Sequence, residues 1–463
     1  MDTVNEHIIM KKGPFIKLAL VTAMPIMMQN LISTLVSSAD TIMLGYVSQD
    51  AMSASSLANQ LLNVLFCAIY GLTAGASVMA SQYWGKKDKE TIEKVLGLAI
   101  KVSVGISLVF FAAAFFFPGI VMRIFTNEEA IIAEGVKYLR ITSFTYIMIG
   151  FSQIYLCVLR STERLVLPTV TYVISLVVNI SINATFIFGL FGAPKLGLVG
   201  VAIGTVVARL SECAICVVHS FTNNEIKLKI KYIFARSGIL MKDFLKLSIP
   251  SMVNDIAWSL ACTVYSIIMG HLGSDAVAAN AVAVMAVNIG AIACRGFANA
   301  TTIIVSRALG EDNKPAAKKY SGWMLWITFA VSLAGGVIIY LIRPLFLNMY
   351  DGKLTDTALE LLSVMLLMQI VRLIGEGVNT CLICGCFRGG GDSKFGMILD
   401  TVFMWCVAVP LMALSAFVFK FPVIWVYLVM CLDEFYKMPP TFVHYFRFNW
   451  MTNITRDKSQ IDT

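Results

Sequence analysis

Twelve apolar runs follow one another through this 463-residue chain, each close to the ~20 residues that carry a helix across a bilayer core. The first lies near residues 15–44 and the last near 422–446. Several are long enough to require tilt or kinks. In water, a fold built from these runs would expose large apolar patches and aggregate. Hydrophobic residues make up 58% of the chain and charged residues 14%, about half the usual charged share. These figures argue against a soluble enzyme, a nucleic-acid binder and a disordered scaffold. The chain reads as an all-α integral membrane protein of twelve transmembrane helices.

The net charge of +8 is a matter of topology rather than of a nucleic-acid partner, because the basic residues sit in short loops. The N-terminus, every second loop and the C-terminus hold 24 Lys and Arg. The opposite face holds five, namely Arg123, Lys195, Arg343, Lys353 and Lys420. This bias predicts that both termini are cytoplasmic, with an even number of spans in the cell membrane. Lys11 and Lys12 precede the first run as in a signal peptide. That run outlasts an h-region and has no small-x-small site before Pro25, so it is read as a permanent span.

Chemistry-bearing motifs are scarce. The pairs Cys213/Cys216 and Cys381/Cys384 have C-x-x-C spacing, but neither has a companion His or a second pair, so no metal or redox site is expected. His7, His219, His271 and His444 are scattered. The run Gly389-Gly390-Gly391-Asp392-Ser393-Lys394 has the wrong spacing for a phosphate loop. No enzyme and no cofactor are expected.

Sliding the sequence over itself shows a duplication. At an offset of 225, Pro25 meets Pro250, Met27 meets Met252, Gly45 meets Gly270 and Asp50 meets Asp275, among nine identities in 34 positions. The offset drifts to 228 by Arg160 and Arg388. The expected organisation is an N-lobe over 1–221, a polar cytoplasmic linker over 222–243, a C-lobe over 244–447 and a tail over 448–463. Six spans per half give both halves the same orientation. A pseudo-twofold axis along the membrane normal and a cavity between the halves are therefore expected, as in alternating-access carriers.

The phrase Pro25 … Ala39-Asp40-Thr41-Ile42-Met43-Leu44-Gly45 followed by Asp50-Ala51 resembles the first span of the multidrug and toxic compound extrusion (MATE) transporters. Asn179 … Asn183 … Ile187-Phe188-Gly189 with Gly197-Leu198-Val199-Gly200-Val201-Ala202 is similar to that family's turn between spans five and six. Ser306-Arg307-Ala308-Leu309-Gly310 and Arg388-Gly389-Gly390-Gly391-Asp392 resemble its loops after spans eight and ten. The likeness implies a V-shaped pair of six-helix bundles exporting drug-like, often cationic compounds in exchange for Na⁺ or H⁺. Two features depart from the family. Asn183 stands where the family often has Asp, and Ser161-Thr162-Glu163-Arg164 replaces a Gly-Asp loop.

A charge at bilayer depth costs at least ~2.5–3.5 kcal/mol, so each needs a reason. Arg209/Glu212, Arg372/Glu376 and Asp433/Lys437 can pair along their own helices, the last just before Pro439-Pro440, which is expected to interrupt span twelve. Asp40, Asp255 and Asp400 have no basic residue within four positions. The repeat places Tyr265 opposite Asp40, Asn30 opposite Asp255 and Tyr172 opposite Asp400, so the shared scaffold does not require these acids.

Asp40 is the expected N-lobe coupling site, with Asn179 and Asn183 supplying amide oxygens. Pro25 removes a backbone hydrogen bond and lets span one bend; the resemblance ties that bend to the charge state of Asp40. Asp255, Glu376 and Asp400 are the C-lobe candidates, with Arg295 or Arg372 as possible charge partners. Na⁺ would bind at Asp40, or at Asp255 with Glu376, since oxygen-rich sites suit hard cations. Small-molecule substrates, a lipid bilayer and a monomeric state are expected. The runner-up is a flippase for a lipid-linked sugar or peptidoglycan precursor, which would need a large basic cavity.

Overall fold

The protein's structure, a computed structural model, describes residues 9–222, 225–235, 238–352 and 354–461. His7, Lys353 and four positions of the expected linker (223, 224, 236 and 237) lie outside the described residues. The chain is helical, with no strand among the described residues. Eleven helices there are long and apolar enough to cross a membrane. The first six are α1 (Lys12–Gly45), α2 (Gln49–Gly85), α3 (Lys89–Phe116), α4 (Glu129–Ser161), α5 (Val166–Phe188) and α6 (Leu198–Thr222). The next five are α7 (Gly238–His271), α8 (Ser274–Gly310), α9 (Lys314–Tyr350), α10 (Asp356–Phe387) and α11 (Ser393–Val418).

The twelfth expected span is present as two pieces, α12 (Val423–Cys431) and α13 (Asp433–Arg447). The expected interruption at Pro439-Pro440 is corrected by the structure: both prolines lie inside α13, and the break is at Leu432. Proline removes a hydrogen bond and bends a helix without having to end it. The break at Leu432 places Asp433 and Glu434 in the first turn of α13, where free backbone N–H groups and the helix dipole favour carboxylates.

The duplication extends to backbone detail. Helices α2 and α8 both have 37 residues, and both ends are offset by 225. Asp88 caps α3 through the Thr91 amide at 3.1 Å, and Asn313 caps α9 through the Ala316 amide at 3.0 Å, again 225 apart. Each cap follows a left-handed residue, Lys87 (φ 60°) or Asp312 (φ 56°). At the offset of 228, Glu163 (φ 63°) takes the left-handed position that Gly391 (φ 85°) holds in the other half. The Glu163 side chain thus carries a local cost of about 1–2 kcal/mol that glycine avoids, and the turn forms despite the departure from the Gly-Asp pattern.

The described residues form two compact units. One comprises those up to Met27 together with Val253–Ile454, and the other Met28–Met252 together with those from Thr455 onward. We call them the C-terminal and N-terminal units. The divisions fall two residues after Pro25 in α1 and two after Pro250 in α7, at equivalent points of the repeat. In the N-terminal unit the 225–235 segment lies on α3: Ile226 is buried, Lys229 pairs with Glu93 at 2.6 Å, and Tyr232 backs onto Gly97. Gly71 of α2 is needed for close approach, since a Cβ there would sit 2.4 Å from the Met252 Cα. In the C-terminal unit, Trp450 is fully buried and its indole donates to the Tyr445 carbonyl at 3.1 Å.

Helix α5 shows what solvent this fold requires. Val166, Val170, Val173, Val177 and Ile180 form one exposed stripe, at 78%, 46%, 42%, 57% and 39% exposure. Thr171, Ser175, Asn179 and Asn183 form the buried stripe. A helix that turns its polar face inward and its valines outward suits hydrocarbon rather than water. The protein is a multi-pass membrane protein.

Candidate functional site

The buried face of α5 organises the site in the N-terminal unit. Asn179 and Asn183 are one helical turn apart and wholly buried. Asn183 fits because residue 204 of α6 is glycine; a Cβ there would lie 2.0 Å from the Asn183 Oδ1. Helix α1 continues without interruption past Pro25 and delivers Asp40 to this pair. The Asn183 Nδ2 donates to the Asp40 Oδ1 at 2.6 Å and to the Asn179 Oδ1 at 3.3 Å. The three residues expected to act together are therefore in one cluster.

The amides are oriented differently from the expectation, however. It is the nitrogen of Asn183, not its oxygen, that faces Asp40, and the carboxyl oxygen accepts its hydrogen bond. The Asn183 Oδ1 and Asn179 Nδ2 are buried without partners. A carboxylate beside two amides can hold a proton or, with the amide oxygens turned toward it, a hard cation such as Na⁺. The unused amide atoms leave room for that exchange of roles.

Asp40 opens into a cavity of about 760 Å³, within the size range of small-molecule sites. Its floor is polar, with Ser55, Asn59 and Asn63 of α2, Tyr138 of α4, and Tyr172 and Ser175 of α5. Its apolar lining includes Leu57, Leu62, Phe66 and Phe125. The charged lining groups are Asp40, Glu128 and Arg209. The α2 contribution is a finding the sequence reading missed, although the run Ser53–Asn63 is visibly rich in hydroxyls and amides for a membrane span.

Arg209 is already engaged. It donates to the Glu212 Oε2 at 2.7 Å, as the i,i+3 spacing predicts, while Ser152 and Gln153 donate to the Glu212 Oε1 at 2.6 and 3.3 Å. Tyr172 donates to the Gln153 Oε1 at 2.9 Å, which links the ion pair to the cavity wall. Asp40, by contrast, has no ion pair among the described residues.

In the C-terminal unit the acids without a basic neighbour in sequence acquire one in space. Arg388 donates to the Asp255 Oδ1 at 2.7 Å, and the Lys437 Nζ donates to the Asp400 Oδ1 at 3.2 Å. Asn254 donates to the other Asp400 oxygen at 3.3 Å. Glu376 faces Arg372 at 4.0 Å along α10, as its spacing predicts. Among the described residues no hydrogen bond or ion pair joins Asp255 to Glu376, and Arg295 pairs with neither. Arg388 follows a π-helical stretch, Cys381–Phe387, an irregularity common at functional positions.

Duplicated bundles of long apolar helices, with the polar face of α5 turned inward and the Asp40 carboxylate lining a cavity, define a multi-pass membrane transporter. The sequence model for MatE matches residues 25–185 and 250–414, and its two matches begin 225 residues apart. The chain belongs to the MatE family, the multidrug and toxic compound extrusion transporters. The uncharacterized transporter YisQ of Bacillus subtilis (strain 168) is 22% identical over 416 residues, covering 89% of this chain and 90% of its own. A probable multidrug resistance protein NorM of Thermotoga maritima is 22% identical over 433 residues, covering 92% and 91%. A crystal structure of MATE in the bent conformation superposes with a TM-score of 0.86 at 19% identity over 97% of each chain, which bears out the all-α fold.

Proposed function

We propose that this chain is a secondary active multidrug efflux antiporter, exporting small organic, often cationic compounds in exchange for Na⁺ or H⁺ by alternating access. The observation that carries this reading is the unpaired Asp40 carboxylate, bonded to Asn183 and open to a substrate-sized cavity. Asp40 takes up the cation; its neutralisation weakens the bond to Asn183 and alters the strain on α1, which Pro25 leaves free to bend. A cationic substrate and the coupling ion then compete for one negative charge. Asp255, Glu376 and Asp400 each have a protein cation beside them, which supports placing exchange at Asp40. The relatives named as multidrug resistance proteins support the substrate class. The loop charges support a cell-membrane location with both termini cytoplasmic.

The flippase reading would call for a basic cavity to hold a pyrophosphate. Two carboxylates and one already paired guanidinium line this one, which favours the exporter. Transport of an ethidium-like dye into everted vesicles, with Na⁺ and pH gradients imposed separately, tests the proposal. Dye movement driven by one of these gradients is expected. Dye indifferent to both gradients, with lipid-linked oligosaccharide translocated instead, would establish the runner-up.

A further inference from the structure

The C-terminal unit holds a second acidic constellation that the exchange at Asp40 does not use. The Lys437 Nζ, on α13, lies 3.2 Å from Asp400, 3.3 Å from Glu434 and 4.0 Å from Asp433. Lys437 is 2% exposed, and the three acids are 8%, 4% and 3% exposed. Asn254 donates to Asp400, Asn379 to Glu434 at 2.8 Å, and the Tyr265 hydroxyl to Asp433 at 3.2 Å. Arg388 is matched with Asp255, while Arg372, 4.0 Å from Glu376, also acts electrostatically on Asp433 and Glu434.

The unpartnered atoms of the side chains forming this cage are all of one kind. Among the described residues the Asn254 Oδ1, the Asn379 Oδ1 and the Asp433 Oδ1 are buried without hydrogen-bond partners, the last facing the Lys437 Nζ at 4.0 Å, on residues 5%, 2% and 3% exposed. Each amide has spent its nitrogen on a carboxylate, so its oxygen is left as an unused acceptor. Three carboxylates face the ammonium, the two amides bonded to them keep unused acceptor oxygens, and oxygen ligands of this kind suit a hard monovalent ion. The shell has such a charge, but a covalently anchored one: a compact ammonium on a flexible four-carbon stem.

We propose that Lys437 is a tethered cation. Its ammonium occupies the position at which this cage would otherwise bind a free Na⁺, so the C-terminal unit keeps its positive charge throughout transport. The exchangeable site is left to Asp40. The repeat sharpens the contrast. Lys437 and Arg209 are 228 positions apart, the offset of Arg160 and Arg388, yet Arg209 is held by Glu212 while Asp40 has no ion pair among the described residues. Among the described residues no three His, Cys, Asp or Glu side chains stand close enough to hold a metal ion, so the inference requires the carboxylates to close on a free ion once the ammonium is withdrawn.

The inference rests on the cation-exchange reading, but its principal test is binding and needs no transport. Saturable ²²Na⁺ binding is measured at pH 8.5 on purified protein carrying Asp40→Asn, which removes the site assigned to exchange. With Lys437 intact, no saturable binding is expected. Adding Lys437→Met should create one site per chain, and adding Asp433→Asn to that should abolish it. A folded Lys437→Met protein, monodisperse by size exclusion, without a new site would overturn the inference. So would an Asp433-dependent Na⁺ site with Lys437 in place. Should Lys437→Met fail to fold, single Asp433→Asn and Glu434→Gln variants decide: gradient-driven dye export within twofold of wild type supports a tethered cation, and a tenfold loss with normal folding overturns it.

Discussion

Asp40→Asn is expected to uncouple the transporter. With the membrane potential clamped, a tenfold cation gradient stores about 1.4 kcal/mol. One-for-one exchange passes this on as a tenfold substrate gradient across the vesicle membrane. Asparagine keeps the size and can still hydrogen-bond Asn183, but it cannot bind and release a proton or supply a full charge to Na⁺. The steady-state dye ratio should therefore fall from about tenfold to near unity, with the protein still folded. The close packing of Asn183 against residue 204 needs only the space that glycine leaves there, and does not call for a charge at residue 40. Full gradient-driven export by this variant would remove Asp40 from the coupling role.

Glu212→Ala is expected to give the largest loss of stability. Glu212 is fully buried and takes hydrogen bonds from Arg209, Ser152 and Gln153. Removing it leaves a guanidinium in the cavity wall without its counter-charge, and breaking a buried pair from one side costs about 3–5 kcal/mol. The melting temperature in detergent should fall sharply. Replacing both partners, as in Arg209→Met with Glu212→Leu, should restore much of the loss, because no orphaned charge remains. A Glu212→Ala protein as stable as wild type would show that Glu212 does not hold α6 against α4.

Much of the architecture was legible because bilayer thickness writes itself into the sequence as run length and apolarity. The 225-residue repeat was legible for a related reason: Pro25/Pro250 and Asp50/Asp275 mark equivalent turns of the same scaffold. The cluster of Asp40, Asn179 and Asn183 was reachable through the family likeness, but the direction of the Asn183 amide was not, since it follows from a hydrogen bond to a partner 143 residues away. Tertiary ion pairs were equally hidden. Arg388 reaches Asp255 across 133 residues, and Lys437 reaches Asp400 across 37, so a search of four positions along one helix finds neither. The break in span twelve fell at Leu432 rather than at the prolines because helix-end preferences of Asp433 and Glu434 compete with proline's local effect, and only the folded context decides between them.

The central claim is that substrate and coupling ion share the Asp40 carboxylate. Isothermal titration of a cationic dye into purified protein, repeated over a range of Na⁺ concentrations and pH, addresses it most directly. The account predicts competition: the apparent dye affinity falls tenfold for each tenfold rise in the coupling cation once that cation saturates, and one cation is released per dye bound. Dye affinity unchanged by Na⁺ and by protons, with no cation released, would contradict it.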